Sequence, residues 1–158
     1  MDIQKRFLLK GGLPTANLPL PPYFQNINDF INCLNCSDTP CVEGCEEGII
    51  QLKEGFPYLN FFKSGCTFCD KCAQLCPNEV LKVEWKRERL GSVIIDPNQC
   101  LAWQGVVCSS CQDICEENAI GFIGGMFKPV VDEKKCTGCG FCISVCPNPI
   151  SIQFWRSK

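Results

Sequence analysis

Apolar residues come in short bursts along this chain, separated by cysteine-rich and turn-rich stretches. Ile49–Lys53 and Tyr58–Phe62 read as two brief strands around Glu54-Gly55-Phe56-Pro57, a turn marked by its glycine and proline. The same pattern returns further on, where Ile120–Ile123 and Val130-Val131 flank Gly124-Gly125. Val80–Trp85 and Ser92–Ile95 have the β-branched and aromatic character of a strand leaving one unit and a strand entering the next. Lys86–Arg89 is the charged link between them. Short helices are expected to follow the third cysteine of each cysteine group, as in Asp70–Leu75 and Phe141–Val145. The expected fold class is α+β, built from elements too short to enclose a large core.

Cysteine density changes that picture from a weak fold to a chemically supported one. Sixteen of 158 residues are cysteine, about a tenth, a level at which cysteines rather than hydrophobic burial usually hold a fold together. They form four quartets. The first is Cys33-x2-Cys36-x4-Cys41-x3-Cys45, and the second is Cys66-x2-Cys69-x2-Cys72-x3-Cys76 with Pro77 behind it. The third is Cys100-x7-Cys108-x2-Cys111-x3-Cys115, and the fourth is Cys136-x2-Cys139-x2-Cys142-x3-Cys146 followed by Pro147. The second and fourth match the bacterial ferredoxin run, whose fourth cysteine ligates the other cluster of a pair. The reason is reach: three cysteines two residues apart wrap one face of a cuboidal cluster, and the next points away at its neighbour. Sixteen cysteines in this arrangement imply four [4Fe–4S] clusters.

Two other uses of cysteine compete. Structural zinc draws two separated Cys-x2-Cys knuckles to one tetrahedral ion, a poor match to four ligands packed within a few turns of chain, four times over. A disulfide scaffold belongs to secreted chains. Here Lys5, Arg6 and Lys10 are followed only by the Phe7-Leu8-Leu9 burst, short of the roughly 7–15 apolar residues of a signal peptide. No stretch approaches the ~20 apolar residues of a membrane helix. The expectation is a reducing, cytoplasmic setting with thiolate ligands, no membrane insertion and no nucleic-acid partner. The formal net charge is −2, with the basic excess in residues 1–10 and an acidic remainder.

Histidine is absent, which removes Cys-His zinc fingers, Rieske centres and imidazole-based nucleophile pairs. No residue set supplies a substrate pocket with acid, base or nucleophile, so an iron–sulfur electron-transfer or assembly protein is expected rather than an enzyme. Val42, Phe68, Leu75, Val107, Ile114, Phe141, Ile143 and Val145 crowd the cysteines. They either keep water from the sulfurs, one control on cluster potential, or form an ordinary small core.

Six cysteines recur at a constant offset of 70 residues. Cys41, Cys45, Cys66, Cys69, Cys72 and Cys76 map onto Cys111, Cys115, Cys136, Cys139, Cys142 and Cys146, and their neighbours follow in Cys-Glu-Glu and Cys-Pro-Asn. Thr67 and Thr137 match as well. The chain reads as a tandem duplication of a two-[4Fe–4S] ferredoxin-like unit. Its parts are a basic tail and Pro-rich linker over 1–24, a first unit over 25–86 and a second over 87–158. Crossed ligation would then set Cys33, Cys36 and Cys41 with Cys76, and Cys66, Cys69 and Cys72 with Cys45. In the second half, Cys100, Cys108 and Cys111 would take Cys146, and Cys136, Cys139 and Cys142 would take Cys115. A nested pairing, outer quartets together and inner quartets together, is the alternative.

Cys100-Leu-Ala-Trp-Gln-Gly-Val-Val-Cys108-Ser-Ser-Cys111-Gln-Asp-Ile-Cys115-Glu, with Cys66-Thr-Phe-Cys69-Asp-Lys-Cys72-Ala-Gln-Leu-Cys76-Pro, resembles the NapF family, the ferredoxin-type proteins of the periplasmic nitrate reductase system. The long gap after Cys100 and the Cys-Gln-Asp-x-Cys-Glu ending carry the likeness. The four-residue gap between Cys36 and Cys41 departs from it, since two residues are expected there. The resemblance implies a cytoplasmic accessory protein acting on the precursor of the nitrate reductase catalytic subunit, NapA, before export, by delivering clusters or electrons. The alternative is an electron-transfer polyferredoxin serving a redox enzyme directly. Lys5-Arg6-Phe-Leu-Leu-Lys10 then reads either as a docking segment or as a solvated tail.

Overall fold

The computed structural model describes residues 18–156. Among the described residues there are three two-stranded antiparallel sheets and four single-turn α-helices, with three 3₁₀ segments between them. β1 (Ile50–Lys53) pairs with β2 (Phe56–Leu59), and β4 (Ile120–Ile123) with β5 (Lys128–Val131). β3 (Ser92–Ile95) pairs with β6 (Ile152–Trp155), near the other end of the chain. The helices α1 (Pro40–Glu43), α2 (Lys71–Gln74), α3 (Ser110–Asp113) and α4 (Phe141–Ser144) each carry the third cysteine of a quartet. These helices run through that cysteine rather than beginning after it.

The hairpin expectations hold for β1 and β4 and shift for β2, which starts two residues before Tyr58. Glu54 and Gly55 alone make the turn, at φ 53° and 85°, the positive-φ pair of a two-residue hairpin. Pro57 then lies inside the strand opposite Leu52. This pair is next to the hydrogen-bonded closing pair, so its backbone nitrogen faces away from the ladder and the missing N–H costs nothing. Pro129 occupies the same register opposite Phe122. The second hairpin has a turn two residues longer, Gly124 to Phe127, and the first unit recovers those residues in the longer segment from Asn60 to Gly65 before Cys66.

Two expectations are corrected. Val80–Trp85 is not a strand: Val83–Trp85 is a 3₁₀ turn, and only Lys82 N–H bonds outward, to Tyr23 C=O at 2.8 Å. The segment beside it contains Pro21-Pro22, which has no N–H to continue a ladder. In the second half β3 does supply those donors, and β6 forms. Second, residues 19–24, expected as part of an extended Pro-rich linker, pack into the core. Leu20, Pro21, Pro22, Tyr23 and Phe24 are buried, and Pro19 C=O accepts from Leu59 N–H at 2.7 Å. The basic segment at residues 5–10 lies outside the described residues.

Phe30 anchors this core. It is fully buried in the 3₁₀ segment Ile27–Asn35, whose first turn is capped by the Asn26 side chain. Its ring meets Phe24 edge-on, with centroids 5.0 Å apart. Phe30→Ala should cost about 3–5 kcal/mol through lost burial and the cavity left behind. The check is urea unfolding under anaerobic conditions, read as a lowered midpoint at unchanged slope.

Candidate metal centre

Four cavities gather the cysteines, each around three thiols from one quartet and one from its neighbour, and the fourth also meets Cys66. Cys33, Cys36, Cys41 and Cys76 line the first, floored by Pro57 and Val80. Cys45, Cys66, Cys69 and Cys72 line the second, under Tyr23 and Ile49. Cys100, Cys108, Cys111 and Cys146 line the third, against Ile95 and Pro129. Cys115, Cys136, Cys139 and Cys142 line the fourth, together with Cys66. All sixteen thiols are free of disulfides.

Local backbone geometry makes these sets possible. In the second and fourth quartets the residue before the helix is left-handed: Asp70 at φ 64° and Gly140 at φ 87°. That reversal turns Cys69 and Cys139 inward before Cys72 and Cys142 arrive on the helix. The four-residue gap after Cys36 is absorbed in the same way, by Thr39 at φ 42° and by Pro40 in the first helical turn, and Cys41 still reaches its cavity. The long gap after Cys100 folds into local turns, with Gln104 N–H on Cys100 C=O and Val106 N–H on Leu101 C=O. Trp103 pins it down, its Nε1–H donating to Pro129 C=O at 3.1 Å.

Several of the thiols sit where burial and neighbouring cysteines disfavour the thiolate. Burial, then the neighbouring Cys76, Cys41 and Cys36, pushes the Cys33 thiol up to about 12. Burial first and Cys76 second push Cys41 up to about 11. Cys66 is raised to about 11, mainly by burial, and Cys111 to about 11, by burial and then by Cys100, Cys146 and Cys108. Cys72 and Cys142, on their helices, are pushed higher still by burial. Such thiols stay protonated at neutral pH until a metal displaces the proton.

Backbone donors also face the sulfurs. Leu81 N–H lies 3.5 Å from Cys76 Sγ, and Ala119 N–H lies 3.3 Å from Cys115 Sγ. These are the fourth cysteines of their quartets, the ones that reach across to another set. Hydrogen bonds to sulfur are one of the controls on cluster potential. Among the described residues no three Cys, Asp or Glu side chains converge on a single-ion site. Thiols line four separate cavities, and thiolates are the donors an iron–sulfur cluster takes.

Sequence reasoning missed a supporting group beside the second cavity. Tyr23 Oη accepts from Asp70 N–H at 3.0 Å, and Lys86 pairs with the Asp70 carboxylate at 3.2 Å. The Tyr23 hydroxyl and Lys86 together hold the Asp70 carboxyl below its ordinary range. Tyr23 sits in a proline-rich stretch without a cysteine, so nothing local marks it.

A family of 4Fe–4S dicluster domains matches residues 106–150, which contain the last three cysteines of the third quartet and the whole fourth. Over 154 residues the chain is 35% identical to the ferredoxin-type protein NapF of Escherichia coli strain K12, covering 93% of this chain and 92% of the relative. It belongs to the NapF ferredoxin-type family. The ferredoxin-type protein NapF of Haemophilus influenzae is 34% identical over 84% of this chain and 77% of its own length. A methylamine utilization ferredoxin-type protein, MauM of Methylobacillus flagellatus, is 30% identical over 84% of this chain and 65% of its own. As a NapF-family member the chain is a ferredoxin-type iron–sulfur protein with [4Fe–4S] chemistry. No helix among the described residues is long and apolar enough to cross a membrane.

Proposed function

We propose that each of the four cavities holds one [4Fe–4S] cluster and that the chain is a cytoplasmic accessory protein for maturation of the NapA precursor. The ligand sets would be Cys33, Cys36, Cys41 and Cys76; Cys45, Cys66, Cys69 and Cys72; Cys100, Cys108, Cys111 and Cys146; and Cys115, Cys136, Cys139 and Cys142. The observation that carries this reading is that each cavity gathers three thiols from one quartet and one from its sequential neighbour, with Cys66 alone touching two cavities. It favours sequential over nested pairing, because nested ligation would pair the first quartet with the fourth.

The same grouping supports a tandem duplication of a two-cluster unit, residues 25–86 and 87–158. The hairpin, helix and cysteine positions of one half return in the other. The burial of residues 19–24 moves the start of the first unit's core earlier than Gln25. Bound clusters would supply one-electron redox chemistry, while the protein's own residues orient them, exclude water and donate hydrogen bonds to their sulfurs.

The maturation role rests on the family, through the long third-quartet gap and the Cys-Gln-Asp-Ile-Cys-Glu ending. The competing reading, a polyferredoxin that feeds electrons to a finished enzyme, draws support from Cys69, the one cysteine classed as exposed among the described residues. A pull-down separates the two. An accessory protein should retain the cytoplasmic NapA precursor and release the mature, cofactor-loaded form. Equal retention of both forms, with rapid reoxidation of the reduced protein by mature enzyme, would contradict the maturation role.

A further inference from the structure

The two halves of the chain meet at their cysteines. Cys66 N–H donates to Cys139 C=O at 2.7 Å, joining the first cysteine of the second quartet to the second cysteine of the fourth. Cys66 and Thr67 line both the second and the fourth cavity. The first and second cavities share no such wall, nor do the third and fourth. The shared wall therefore lies between the two halves of the chain.

The joint is closely packed. A Cβ on Gly65 would fall 2.5 Å from the Phe141 ring and 2.7 Å from its backbone nitrogen. A Cβ on Gly140 would fall 2.2 Å from the Phe61 ring. Phe61 also packs on Phe154 of β6, with ring centroids 5.8 Å apart. Phe61 and Gly65 both lie in the segment that is two residues longer in the first half than in the second. The repeat is thus broken where the two halves touch.

We infer that the second and fourth cavities form a directly coupled inner pair, joined through the Cys66–Cys139 hydrogen bond, with the first and third cavities as the outer sets. This rests on the ligation proposed above. Clusters held at the two inner sets would exchange a single electron, one being oxidised as the other is reduced. No bond forms or breaks and no proton moves. Cys66 and Cys139 supply the connection, while Gly65, Gly140, Phe61 and Phe141 are positioning residues that set its length.

The test isolates the inner pair. In a C33A/C36A/C100A/C108A variant both outer sets lose two ligands, leaving two cubanes and about eight iron per chain. Reduced anaerobically with dithionite, this variant should show an electron paramagnetic resonance spectrum split by interaction between the two remaining clusters. Adding G65A should remove the splitting at unchanged iron, because the new Cβ displaces the Phe141 backbone. Two independent signals in the first variant at about eight iron, or splitting that survives G65A, would overturn the inference and leave the ligation standing. If the outer lesions cost the inner sites their iron, the comparison moves to the unsubstituted chain and G65A alone, both at about sixteen iron. There a narrowed interaction pattern supports the coupled pair and an unchanged one overturns it. Loss of all iron and labile sulfide even from the unsubstituted chain would overturn the ligation, and the inference with it.

Discussion

Stripping the iron from this protein with a chelator, under anaerobic and reducing conditions, should abolish its cooperative unfolding transition. Every α-helix among the described residues is a single turn, well under the ~12–15 residues an isolated helix needs to persist in water. Every sheet has two strands, and an isolated pair is marginal at best. Folding must also bring sixteen thiols into four tight groups, several of them in surroundings that disfavour the thiolate. Structural metal binding contributes on the order of 10 kcal/mol in small metal-dependent domains, as much as the whole stability of an ordinary domain. The measurement is far-ultraviolet circular dichroism with thermal scanning, before and after chelation. A transition kept at its original temperature in iron-free protein would show that the core around Phe30, Phe56 and Val80 folds alone.

Replacing Cys76 with alanine should damage the set that contains Cys33, Cys36 and Cys41, and spare the set that contains Cys66, Cys69 and Cys72. Cys76 follows Cys72 by only four residues, and intuition would place them together. The chain instead carries Cys76 past the end of α2 into the cavity of the first quartet, where Leu81 N–H meets its sulfur. Cys45→Ala should do the converse and strike the set of Cys66, Cys69 and Cys72. Each substitution should reduce bound iron by about four per chain, one cubane's worth. The remaining spectrum should differ between the two variants. Loss of the same signal from both would mean that each quartet closes on itself.

Much of the chemistry was legible in the sequence because a cysteine's role depends on spacing, and spacing survives without three-dimensional information. The quartets, the 70-residue repeat, β3 and β4 belong to this class. Features that depend on a distant partner were not legible. β6 exists because β3 offers it donors, while the equivalent Lys82–Trp85 curls into a 3₁₀ turn beside a proline pair. Pro57 looked like a turn residue because its place in a non-hydrogen-bonded register is decided by the opposite strand. The burial of Leu20 to Phe24 follows from packing against Leu59 and Lys82, which no local pattern records. The seam of Gly65 on Phe141 and Phe61 on Gly140 is the extreme case, since its meaning appears only when the two halves touch.

Sixteen cysteines holding four cubane clusters must show in the metal content. Anaerobically purified protein, assayed for iron, acid-labile sulfide and zinc on the same sample, should hold about sixteen iron and sixteen sulfide per chain, with a broad brown absorbance that dithionite bleaches. Stoichiometric zinc without labile sulfide would contradict it.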